Sequence, residues 1–195
     1  MYRIWTYKMR KVIAKLDKKH DRSRVLGIDP STHSIDFTLV EDGKPTKWGS
    51  IDFYRKGDIY SKLAMVHPLM DIVIEHCGMP TYAIVEESIL VRSPGTFRML
   101  SYMGGALMTD LMNRGIDTCD VGVMVHKKFH GYQVITRGQK LGRTAKEVER
   151  MKKQQIQDRL AIAFPDFMYQ NDDVADSASI ALWGAGVSLA DVAFV

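Results

Sequence analysis

Four carboxylates limit what this chain can fold into: Asp29 in LGIDPSTHS, Glu86 in YAIVEES, and Asp173 with Asp176 in NDDVADSASIA. Asp29 and Glu86 end short apolar strands, and the other two stand three residues apart at the start of an apolar helix. Mixed and parallel sheets gather the ends of adjacent strands at one edge, where ligands bind. Residues at i and i+3 share a helix face. A fold that packs these segments together therefore brings four acids to one spot, which is intolerable without a cation. Oxygen-only donors suit the hard ions Mg²⁺ or Mn²⁺. Singly, each acid has a plainer role: Asp29 before Pro30 starts a turn, Glu86 is a solvated strand end, Asp173 is a helix cap. Jointly they point to a metal site.

The pattern along the chain predicts where these acids sit. Val25 to Ile28 reads as a strand, and two more strands follow, joined at Asp42-Gly43, a strong hairpin signal. Apolar residues recur at helical spacing from 58 to 77, with Pro68 expected to kink or divide that helix. Tyr82 to Val85 reads as a fourth strand, Thr96 to Arg114 as a methionine-rich helix closed by Gly115, and Ile116 to Val125 as a fifth strand. From Lys127 to Arg143 no period is visible, so a mobile surface element is expected. Ala145 to Phe164 and about Asp173 to Leu189 read as the last helices. The order is three antiparallel strands, helix, strand, helix, strand, helices, an α/β layout with no internal repeat.

At 195 residues the chain suits one well-buried core. We divide it into residues 1–23, a basic amphipathic helix (Trp5, Met9, Val12, Ile13 and Leu16 at helical spacing) with a linker, and a catalytic domain, 24–195. Cys77 and Cys119 lie in unrelated contexts, suggesting neither a zinc site nor a disulfide framework. No apolar run reaches the roughly 20 residues of a membrane span and no secretory segment follows Met1, so a soluble intracellular protein is expected. The net charge of +4 hides a segregation. Residues 1–24 hold nine Lys/Arg against two acids and residues 126–159 hold ten against three, leaving an acidic body that carries the four carboxylates. Such a layout grips a polyanion around a cation site. Clustered acids with hard cations lead naturally to phosphoryl transfer. No Ser, Cys or His constellation competes as a nucleophilic site, and His126 and His130 read as structural or DNA-contacting residues.

In this order, LGIDPSTHS, YAIVEES and DVADSASIA resemble the three acidic motifs of RuvC, the Holliday-junction resolvase of the ribonuclease H-like superfamily. The resemblance is one of motif pattern across residues 24–186, and it implies a five-stranded mixed sheet flanked by helices. It further implies that Asp29, Glu86, Asp173 and Asp176 bind two Mg²⁺ ions, with Mn²⁺ able to substitute, and hydrolyse a phosphodiester to leave a 5′-phosphate and a 3′-hydroxyl. Lys153 in KKQQIQ resembles the family's basic residue near the scissile phosphate, and Lys127 or Lys128 a second lysine. Glu87 and Asp172 adjoin the motif acids and rank below them as ligands; strand alternation points Glu87 away from Glu86. The helix with Gly104-Gly105 resembles the family's dimerisation helix, implying a homodimer acting on four-way junctions. Ile89, Leu90 or Phe97 would wedge or stack at the junction centre, a core role for Leu90 and Phe97 being equally open.

The N-terminal basic helix and the Gly131–Thr144 stretch depart from that pattern and fit a viral or organellar resolvase, or a broader nuclease for branched DNA. The location expected is the cytoplasm, or the host cytoplasm if the source is viral. Two rivals remain. One is a catalytically inactive architectural binder of branched DNA, which clustered negative charge disfavours. The other is an actin-like phosphotransferase, whose first phosphate loop LGIDPSTHS also resembles, but whose second domain 195 residues cannot hold.

Overall fold

The structure is a computed structural model and describes residues 21–53, 58–88 and 93–190. The expected basic N-terminal helix and the candidate wedge residues Ile89 and Leu90 lie outside these residues. Five strands, β1 (Arg24–Pro30), β2 (Ser34–Glu41), β3 (Lys44–Asp52), β4 (Tyr82–Glu86) and β5 (Asp117–Val121), form one sheet of order β3-β2-β1-β4-β5. β1, β2 and β3 are antiparallel, whereas β4 and β5 run parallel to β1. Six helices accompany them among the described residues: α1 (Ile59–Cys77), α2 (Pro94–Asn113), α3 (Val123–Phe129), α4 (Arg137–Lys140), α5 (Ala145–Ala163) and α6 (Asp172–Ala185).

The Asp42-Gly43 turn forms as its sequence predicts. Both residues have positive φ (48° and 79°), the geometry that joins two antiparallel strands without splaying them.

Alternation along the strands sorts side chains between two layers. Leu26 and Ile28 of β1, Ile35, Phe37 and Leu39 of β2, and Ala83 and Val85 of β4 pack with Val66, Met70 and Val73 of α1 and Met103, Leu107 and Leu111 of α2. The opposite face meets α6, where Val40 joins Val174, Ala178 and Leu182, and Val25 and Ile84 join Ile180. Asp29 and Glu86 belong to that second face by the same alternation.

Three boundaries differ from expectation. The fifth strand stops at Val121, because from Gly122 the chain turns into α3, so residues 123–125 are helical rather than extended. The supposedly patternless stretch holds α3 and α4. A capping box pins α4, with Thr136 and Gln139 each satisfying the other's backbone. Finally, α1 runs undivided through Pro68. Pro68 and Ala64 are exposed, so water can serve the carbonyl that proline leaves without a donor.

Candidate active site

The alternation that builds the core also collects the acids. Asp29 of β1 lies opposite Asp36 of β2 in register, and Glu86 closes β4 beside them. The middle of α6 lies unusually close against this face. Gly27 permits it, since a Cβ there would stand 2.5 Å from the backbone nitrogen of Ala181. Asn171 caps α6, its Oδ1 accepting from the Val174 N–H at 2.8 Å. Asp173 and Asp176 thus reach the sheet face that carries Asp29.

Asp29 shows that these acids converge. Desolvation, then the charges of Glu86, Asp176, Asp173 and Asp36, push its carboxyl well above the usual carboxylate range. Among the described residues nothing donates a hydrogen bond to that carboxylate. Burial, with Glu86 reinforcing it, likewise raises Asp176, although Lys127 pulls the other way. Burial also raises Asp173 against the opposing pull of Lys153.

Bases hold the remaining acids. Lys127 Nζ lies 3.0 and 3.1 Å from the two carboxylate oxygens of Asp176. Desolvation works to lower its pKa, but Asp176, Glu86 and Asp29 outweigh it and raise the ammonium. Lys153 Nζ lies 3.1 Å from Asp172 Oδ2 and 3.7 Å from Asp173 Oδ1. His126 Nε2 lies 3.0 Å from Glu86 Oε1.

With the acids spread onto these bases, no three His, Cys, Asp or Glu side chains among the described residues are gathered closely enough to grip an ion as they stand. The donor set nevertheless fits a hard divalent cation. It consists of oxygens alone, its Asp29 carboxylate lacks a hydrogen-bond donor among the described residues, and the mutual repulsion felt by Asp29 calls for positive charge at its centre.

The structure separates the sequence candidates. Lys127 reaches the acids, while Lys128 is exposed. Glu87 is exposed, off the acid face. Asp172 turns outward to Lys153 and Gln157, whose Nε2 donates to it at 2.8 Å. Phe97 is half-buried near the start of α2. His126 and His130 are fully buried, which removes DNA contact as their role. His130 is structural, with Nε2 2.7 Å from the Ser179 carbonyl and Nδ1 accepting from the Leu189 N–H.

Two residues of this site escaped the sequence reading. Asp36, fully buried, accepts from Ser34 Oγ at 2.6 Å and from Asn171 Nδ2 at 3.3 Å, tying β2 to the cap of α6. Its signal was the alternation of polar Ser34, Asp36 and Thr38 along β2. The other is His126 as a partner of Glu86. Lys62, also buried, donates to the Thr32 carbonyl and steadies the loop after Asp29.

A mixed five-stranded sheet of this order, with acids from its first and fourth strands meeting the start of the last described helix, has the ribonuclease H-like fold seen in RuvC structures. Particular relatives agree. Over 102 residues the chain is 26% identical to the crossover junction endodeoxyribonuclease RuvC of Halorhodospira halophila, covering half of this chain and 60% of that protein. The chain thus spans less than two thirds of the length of this curated relative. Thermus thermophilus RuvC in complex with a Holliday junction substrate matches with a TM-score of 0.60 at 17% identity, covering 82% of this chain and 90% of that one. The yeast mitochondrial Holliday junction resolvase Ydc2 matches with a TM-score of 0.55 at 14% identity, covering 87% and 82%. No protein-family model matches the chain. No helix among the described residues is long and apolar enough to cross a membrane.

Proposed function

We propose that this protein is a metal-dependent, structure-selective endonuclease that resolves Holliday junctions or other branched DNA by paired phosphodiester hydrolysis, leaving 5′-phosphate ends. The observation that carries this reading is the carboxylate of Asp29, without a hydrogen-bond donor among the described residues and raised by burial and by four further acids that β2, β4 and α6 bring to one sheet face. A protein that only bound DNA would gain nothing from acids gathered where phosphates must approach. In this reading Asp29, Glu86, Asp173 and Asp176 hold two Mg²⁺ ions, or Mn²⁺ in their place. When bound, such ions lower the pKa of water and offset charge on the phosphate oxygens.

The chain's own residues do the rest. Lys127 and Lys153 flank the acids and are kept cationic by them, so each can exchange its carboxylate for a phosphate oxygen and fix the strand in the site. The α2 glycines Gly104 and Gly105 face open space, which suits a helix meeting a second copy, and a homodimer would set two sites on the opposed strands of a four-way junction.

The test is nicking of a synthetic four-way junction in Mg²⁺, compared with linear duplex, flap and RNA–DNA hybrid. Asp29→Asn and Glu86→Gln should abolish cleavage and keep or strengthen junction binding. Full cleavage by either variant would sink the metal-site assignment.

A further inference from the structure

We infer that His126 is a positioning residue for Glu86, held in place by Ser179, so that one turn of α3 orients acids from two different elements. The inference rests on the metal-site reading above. His126 is fully buried at the point where α3 crosses from β5 to α6. Its Nε2 lies 3.0 Å from Glu86 Oε1 and its Nδ1 2.8 Å from Ser179 Oγ. The next residue, Lys127, holds Asp176. Adjacent residues of one short helix therefore clasp Glu86 of β4 and Asp176 of α6.

The proton arrangement follows from the carboxylate. A carboxylate oxygen accepts, so the contact with Glu86 Oε1 is made by an N–H on Nε2, and Nδ1 of that tautomer accepts from the Ser179 hydroxyl. The ring thus offers Glu86 a donor, while its Nδ1 lone pair is engaged by Ser179 and is not free for a metal. Glu86 Oε1 is thereby fixed and Oε2 left for a cation, the arrangement by which a neighbouring hydrogen bond orients a metal ligand. His130, four residues on, provides the contrast. It uses the Ser179 carbonyl and the Leu189 N–H, backbone groups alone, as a histidine with only a packing role does.

The amide side chains separate these roles. In His126→Gln the amide nitrogen can occupy the Nε2 position and still donate to Glu86. In His126→Asn it reaches only the Nδ1 position, keeping Ser179 and losing Glu86. Mn²⁺ binding to the full-length protein, followed by electron paramagnetic resonance without DNA, should weaken by about tenfold or more in His126→Asn and by less than about threefold in His126→Gln. Four-way junction affinity in Ca²⁺ should be unchanged in both. Equal loss in the two variants would make the ring a ligand or a packing element, and no loss in either would remove the role; both overturn the inference. Ser179→Ala frees the ring without altering it and should weaken Mn²⁺ binding severalfold, so the inference stays testable if His126→Asn fails to fold. Glu86→Gln, measured alongside, separates the two readings. Wild-type Mn²⁺ binding there defeats the metal site itself, whereas weak binding there with wild-type binding in His126→Asn defeats only the role of His126.

Discussion

Replacing Gly27 by alanine should damage the active site from beneath, without touching any acid. The added methyl would stand 2.5 Å from the Ala181 backbone nitrogen and 2.9 Å from its Cβ, with the Ser177 carbonyl closer still, whereas ordinary contact begins at 3.4 Å. These are mostly backbone atoms in the middle of α6, so no rotamer relieves them and the whole helix must retreat by about 1 Å. Overpacking of this kind costs up to about 3 kcal/mol, which for a chain of this size lowers the melting temperature by roughly 6–12 °C. Because α6 carries Asp173 and Asp176 while β1 carries Asp29, the same retreat widens the acid cluster. A displacement of about 1 Å costs on the order of 100-fold in rate. The assay pairs a thermal melt with single-turnover cleavage of a four-way junction well below the variant's melting temperature. A melting point within about 2 °C of wild type, or a loss of stability with unchanged single-turnover rate, would refute the argument that close seating of α6 sets the geometry.

Other expectations follow from charge and burial. Burial pushes the His130 imidazole down to about 4, so the folded state binds fewer protons than the unfolded state between that value and the ordinary 6.5. Stability should therefore fall by roughly 2 kcal/mol from pH 7 to pH 5 through this group alone. Urea titrations of wild type and His130→Gln should show the variant lacking that slope, and parallel pH profiles would remove His130 as the cause. Asp29 has the opposite sign for a carboxyl: its raised pKa means that ionisation works against the fold as pH climbs above the usual carboxylate range. In EDTA at pH 7, Asp29→Asn should melt above wild type, by roughly 2–4 °C for each kcal/mol of repulsion removed. A lower melting point would show that the acids are not crowded. Arg137, Lys140 and Arg143 are exposed around α4, which leads into the capped start of α5, the helix that carries Lys153. Replacing all three by alanine should reduce the salt slope of junction binding by roughly 2–3 if each meets a phosphate, with the saturated cleavage rate retained. An unchanged slope would show that they are merely solvated.

The strands, the hairpin and the long helices were legible because their signals are local. Val25–Ile28, Asp42-Gly43 and Tyr82–Val85 announce their conformation through neighbours one to four residues away. Where local signals conflicted, boundaries slipped. Val123 and Val125 carry strand propensity, yet they sit in α3, because packing of His126 and His130 beneath α6 outweighs propensity in a seven-residue helix. The patternless stretch hid α4 because four residues are too few to show a helical period, although Thr136 and Gln139 already spelled its cap.

By itself, then, the sequence determined which acids exist, that two end strands and two open a helix, and that basic segments flank them, since each of these is a property of order along the chain. Only the tertiary structure decided which groups meet. Alternation and the β1–β2 register set Asp36 against Asp29, the Asn171 cap and the close approach at Gly27 lowered Asp173 and Asp176 onto the same face, and the turn into α3 chose Lys127 over Lys128 and buried His126 against Glu86. Contacts such as those of Glu86 with His126 and of Gly27 with Ala181 join residues far apart in the chain and depend on how a sheet twists under a helix and how closely backbones approach, and no spacing along the chain encodes that distance.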